Sequence, residues 1–250
     1  MALYFIGLGL NNQDDITLRG LEAAKKCDVV YFESYTSRLN CSISALERLF
    51  GKKVKLAGRN AFEEDGDAII NEARFKDVAL LVVGDPFSAT THADLFIEAR
   101  RTGVHVEVIH NASVLNAVGI TGLQLYKFGK TTSIPYENEN VRTPYDVLAA
   151  NRRSGMHTLF LLDIKSDEQR YMSVNEAIKY LLSVEEKWKK HAFSKETLCV
   201  GCARLGSDNF MIKSGTADEL MGVDFGHPMH CLIVPGKLHF KEEEALELWR

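Results

Sequence analysis

Gly7-Leu8-Gly9-Leu10 follows the apolar run Leu3-Tyr4-Phe5-Ile6, in the place where a dinucleotide-binding glycine turn would lie. Position 12, however, is Asn where that fingerprint needs a third glycine. The pair of glycines serves either a close backbone approach to a ligand or a tight turn alone. Val83-Gly84-Asp85-Pro86-Phe87-Ser88-Ala89-Thr90-Thr91-His92 closes a second apolar run. Asp85 could accept hydrogen bonds from a ribose diol or sit near a cationic ligand. It could equally start the turn, with Thr90 or Thr91 capping the next helix. His110-Asn111-Ala112-Ser113 follows a third such run. Ligands of open α/β sheets bind outside the carboxyl ends of the strands, so convergence of three polar or glycine-bearing strand ends predicts a ligand cleft.

Cys199-Val200-Gly201-Cys202, with His227, His230 and Cys231, invites a zinc reading. Against it, residues three apart in an extended run point to opposite faces. No His-Glu-x-x-His, Gly-x-x-x-x-Gly-Lys or Gly-x-Ser-x-Gly is present, which leaves metalloprotease, P-loop and serine-hydrolase chemistry without their residues. The cysteines number five, an odd count in a chain without a secretion signal, and predict reduced thiols.

The elements that must position these residues alternate. Leu3 to Leu8 reads as a strand. Thr17 caps a helix whose Leu18, Leu21 and Ala24 share a face, and Asp28 to Phe32 is extended. Ser42 to Phe50 reads as helix, Val54 to Leu56 as strand, Glu63 to Arg74 as helix, and Val78 to Val83 as a buried strand. Val104 to Ile109 closes the series, which predicts a mostly parallel sheet with helices on both faces. Between about Asn111 and Lys130 glycines interrupt the pattern. Beyond them come helices at Tyr145 to Arg153 and Ser173 to Lys190, and extended segments at Thr158 to Leu162, Leu198 to Ala203, Phe210 to Lys213 and Met229 to Val234. The reading is an N-terminal α/β domain over 1–115 and a mixed α+β domain over 130–250.

Composition narrows the partners. A net charge of -4 argues against nucleic acid, whose phosphates demand a concentrated basic surface. No apolar stretch approaches the roughly 20 residues that span a bilayer. Met1 to Ile6 lacks the basic flank of a signal peptide, so a cytoplasmic location is predicted.

Tyr4 to Leu10, Asp15 to Glu22, Glu33 to Ser37, Gly84 to His92, Ile109 to Ser113, Gly122 to Gly129, Gly155 to Leu159, Arg170 to Ser173 and Glu196 to Gly201, in that order, resemble the diphthine synthases. These are methyltransferases of the tetrapyrrole-methylase-like class. The resemblance implies a two-domain α/β protein, usually a homodimer, that binds S-adenosylmethionine in a cleft between its domains and releases S-adenosylhomocysteine. By matching positions it implies cofactor contacts from Leu10, Asp85, Ser88, Ser113, Val114, Leu162, Leu205 and His230. The displacement itself asks for no metal and no obligatory catalytic side chain: the leaving thioether needs no acid, Asp85 and His230 are expected only to shape the cofactor site, and bulk water can take the acceptor's proton. The implied acceptor is the amine of an aminocarboxypropyl-histidine on translation elongation factor 2, modified in diphthamide biosynthesis. Two positions depart from the family pattern: the connection from Lys165 to Arg170 is short, and Val141 stands where the family has tryptophan.

Overall fold

The computed structural model describes residues 1–35, 37–58, 66–89 and 92–250, with the backbone alone at residue 167. It divides the chain into two compact units, Met1–Ala117 and Val118–Arg250. In the first, β1 (Ala2–Gly7), β2 (Val29–Glu33), β3 (Val54–Ala57), β4 (Val78–Val82) and β5 (His105–Ile109) form one sheet in the order β3-β2-β4-β1-β5. Every pairing is parallel. Alternate side chains enter opposite faces, which is why β4 is apolar throughout. Leu80 and Val82 pack with Leu3, Phe5, Ile69, Ile70, Leu95 and Ala99. Ala79 and Leu81 pack instead with Ile6, Leu8, Ala24, Leu46 and Phe50. Helices Leu18–Lys26 and Ile43–Phe50 therefore cover one face, and Gly66–Ala73 and His92–Arg101 the other.

Thr17 and Ser42 begin their helices as capping residues, accepting from Gly20 N at 3.0 Å and Ala45 N at 3.2 Å. The expected cap at Thr90 or Thr91 and the expected helix start at Glu63 lie outside the described residues. The register aligns Gly7 with Val82 and Ile6 with Ile109, so β1, β4 and β5 end level with one another.

In the second unit β6 (Thr132–Ile134), β7 (Thr158–Leu162), β10 (Leu198–Ala203), β11 (Met211–Thr216) and β12 (His230–Val234) form a mixed sheet in the order β11-β10-β12-β7-β6. Only β6 and β7 run parallel. Helix Val174–Trp188 starts at a reciprocal cap: Ser173 Oγ accepts from Glu176 N at 3.2 Å, and Glu176 Oε2 accepts from Ser173 N at 2.7 Å. Its Val174, Ala177, Ile178, Leu181 and Val184 share one face and pack with Tyr145 and Leu148 of helix Thr143–Arg153. Gly201 leaves room for the Phe225 ring beside Val174, since a Cβ there would meet that ring at 2.3 Å.

Strand β6, the hairpin of β8 (Ile164–Lys165) and β9 (Arg170–Tyr171), and helices Ala217–Met221 and Phe240–Glu247 are additions to the elements expected. Phe240–Glu247 holds one Lys and four Glu and buries only Glu242 and Leu246, so its sequence reads as solvated. Its anchor is a charge. The fully buried Glu242 carboxylate accepts from Gln124 N (2.9 Å), His239 N (2.8 Å) and His157 Nε2 (2.9 Å), and pairs with Lys127. His157, also fully buried, accepts from Gly236 N at Nδ1 (2.9 Å), which fixes its proton on Nε2. Burial pushes Glu242 up, but the bonds from Lys127, Gln124, His239 and His157 outweigh it and hold the carboxyl down to about 2. Among the described residues no helix is long and apolar enough to cross a membrane.

Candidate functional site

The level ends of β1, β4 and β5 bring the three predicted loops together. Gly9 and Gly84 bridge, with Gly84 N donating to Gly9 O at 2.7 Å and Gly9 N to Gly84 O at 3.3 Å. Gly9 lies at φ +78°, where a Cβ would strike Asp15 Cβ at 2.5 Å. Asp15 Oδ2 accepts from Leu10 N (3.1 Å) and Asn11 N (2.7 Å), which shapes the backbone at Leu10. Asn111 stitches the loops: its Nδ2 donates to Gly7 O (2.9 Å) and Asp15 O (3.0 Å). Ser113 lies beside Gly84, 3.8 Å from where a Cβ would stand, and its amide donates to Asn116 Oδ1 at 2.8 Å. Leu10, Asp85, Ser88, Ser113 and Val114 thus belong to one set of adjoining strand-end loops, with Val114 opening the short helix Val114–Ala117.

Asp85 carries more bonds than either expectation gave it. Oδ1 accepts from Phe87 N (3.0 Å) and Ser88 Oγ (3.1 Å), and Oδ2 from Asn111 N (3.2 Å) and His110 Nδ1 (2.7 Å). An ionised carboxylate has about four lone-pair sites, so its acceptor capacity is spent within the protein. Burial pushes Asp85 up, but the bonds from Phe87, His110 and Asn111 hold its carboxyl below the usual range. The turn-starting role is met, and the carboxylate positions Ser88 and His110 rather than reaching outward.

In the second unit Leu162, Leu205 and His230 also converge. Cys231 pairs with Leu161, and the same antiparallel register one step on sets His230 across from Leu162. Ala203 pairs with His230, and Leu205 follows two residues later. Arg204 secures this end: its N donates to Met229 O (2.7 Å), its Nη1 to Phe225 O (2.7 Å) and its Nε to Asn209 O (3.1 Å). His230 Nε2 donates to His227 O at 3.0 Å, so Nδ1 carries a lone pair. Burial pushes His230 down, which keeps the ring neutral. Among the described residues buried Nδ1 has no hydrogen-bond partner, which leaves it an acceptor without a donor.

Cys199 lies in the core beneath the helices, whereas Cys202 lies across from Cys231, and all five cysteines are free thiols. Among the described residues no group of three or more His, Cys, Asp or Glu is placed to hold a metal ion. Sequence reasoning placed His110 and Asn111 in a strand-end segment without giving either a role, and it missed Asp15 and the His110–Asp85 bond. His110 was within reach, being an imidazole that opens a segment already singled out as a strand end.

Residues 2–221 match the family model for tetrapyrrole (corrin/porphyrin) methylases, so a parallel sheet followed by a mixed one is that family's methyltransferase fold. A diphthine methyl ester synthase from Homo sapiens is 46% identical, the likeness covering 99% of this chain and 94% of that one. A diphthine synthase from Methanocaldococcus jannaschii is also 46% identical, over 98% of this chain and 97% of the other. The crystal structure of a diphthine synthase superposes with a TM-score of 0.92 at 39% identity, covering 100% of this chain and 96% of that one. The chain belongs to the diphthine synthase family, methyltransferases for which S-adenosylmethionine is the methyl donor.

Proposed function

We propose that the chain transfers methyl groups from S-adenosylmethionine to the amine of an aminocarboxypropyl-histidine on translation elongation factor 2, a step of diphthamide biosynthesis, as a cytoplasmic homodimer. The observation that carries the reading is the end-to-end likeness to diphthine synthases. The local structure fits the cofactor. Gly9 and Gly84 let the loops after β1 and β4 close on each other, and buried His230 Nδ1 lacks the donor that adenine, ribose or the cofactor's amino group would supply. Leu10, Ser88, Ser113 and Val114 would hold it from the first unit, where Asp85 would act by positioning Ser88, and Leu162, Leu205 and His230 would hold it from the second.

When bound, the cofactor supplies an electrophilic methyl on a sulfonium. The chain's own residues bind, orient and exclude water, and positioning of this kind accounts for much of the acceleration in a displacement reaction. The test is to incubate the protein with labelled S-adenosylmethionine and elongation factor 2 from a strain blocked at this methylation. Mass gain in methyl-sized steps supports the reading, and the final count separates a trimethylated amine from its methyl ester. Cofactor binding without transfer points to another acceptor, and neither binding nor transfer overturns the assignment.

A further inference from the structure

The geometry points to His110 as the base that removes the proton from the acceptor amine, with Asp85 as its positioning residue. This rests on the amine acceptor proposed above. Sequence and resemblance supplied no such group, yet the reaction asks for one: an ammonium has no lone pair, so each attack requires a proton to leave first.

Asp85 is buried and ionised, and an ionised carboxylate only accepts. The 2.7 Å contact therefore puts the imidazole proton on Nδ1 and leaves Nε2 as a bare acceptor. Among the described residues Nε2 has no hydrogen bond, and the side chain is 70% exposed. A buried carboxylate fixing the tautomer and aim of an open imidazole is the arrangement that general bases use. It stands on the loop that runs on to Ser113 and Val114, beside Gly84. Among the described residues the charged group that meets the ring is Asp85.

The step balances. The ammonium gives one proton to Nε2 and becomes a neutral amine. The freed lone pair forms the N–C bond as the donor's C–S bond breaks, and that bond's electrons stay on sulfur as a neutral thioether. The nitrogen regains positive charge, and the imidazolium passes its proton to water across its exposed edge. While the nitrogen still carries a hydrogen, the same cycle prepares the next transfer.

The test uses the whole protein with elongation factor 2 bearing the unmethylated intermediate. His110→Asn keeps an amide N–H that can donate to Asp85 but offers no basic nitrogen. It should lower the single-turnover transfer rate about 100-fold or more, with the dissociation constant for S-adenosylmethionine changed less than about twofold. His110→Ala should be equally slow, and added imidazole should restore part of its rate. Independently of turnover, nitrogen NMR of histidine-labelled protein should find His110 protonated at Nδ1 and bare at Nε2. Near-normal transfer by His110→Asn, or a slow His110→Ala that imidazole leaves unchanged, would reduce His110 to loop support and overturn the inference. A proton found on Nε2 in the neutral ring would do the same. No transfer by the unaltered protein would instead strike at the acceptor assignment itself.

Discussion

Two carboxylate–histidine pairs are built into this molecule, Asp85 with His110 in the first unit and Glu242 with His157 in the second. Both carboxylates are buried, both accept two backbone amides, and both are held ionised. The difference is the second ring nitrogen. Gly236 N occupies it in His157, whose ring is pushed down by burial and shut from water, whereas in His110 it is open and the side chain 70% exposed. The pair with both nitrogens spent is a fastening, and the pair with one nitrogen open can exchange a proton.

Removing the fastening should have the largest effect. Glu242→Ala leaves Lys127, His157 Nε2 and two amides without their acceptor, and should lower unfolding free energy by about 3–5 kcal/mol, read from the urea midpoint. The same carboxylate gives a sign to acid stability. Its folded pKa, about 2, lies below the ordinary 4.5, so its contribution is present above about pH 4.5 and is lost as pH falls toward 2. In Glu242→Gln that part of the acid slope should be missing. His157→Ala, which empties a buried site and orphans Gly236 N, should cost about 2–4 kcal/mol.

Asp85→Ala should cost less, about 1–3 kcal/mol, because His110 and Ser88 can turn to water. Its larger consequence should be loosening of the strand-end loop, seen as roughly tenfold weaker cofactor binding by calorimetry. His110→Asn should change stability by no more than about 0.5 kcal/mol. Equal losses on substituting His110 and His157 would dissolve the contrast between the pairs, while a wide gap in stability together with a slow His110→Asn would sharpen it.

The sheets were legible because burial on both sides writes itself as continuous apolar runs, as Val78 to Val83 shows. Helix Phe240–Glu247 was not, since its hold on the core is an ionised carboxylate in a run of glutamates. At the site, glycines and polar residues closing apolar runs gave the loops away. The convergence of Leu162, Leu205 and His230 could not be read from spacing, because it depends on the register of β7, β10 and β12. The bond from His110 to Asp85 was hidden for the same reason: 25 residues separate partners that only parallel strand order makes neighbours.

That strand order also sets a sequence of events for the growing chain. β1 is synthesised first, yet its hydrogen-bonding partners are β4 and β5, with Leu3 paired to Val78 and Ala2 to His105. Such distant contacts are made late, since the loops between them must close first. Leu3, Phe5 and Ile6 therefore leave the ribosome long before anything can cover them, and the first unit can complete its sheet only after β5 has emerged. A nascent-chain assay should find that unit protease-sensitive until the residues up to Ile109 clear the exit tunnel, and resistant soon afterwards.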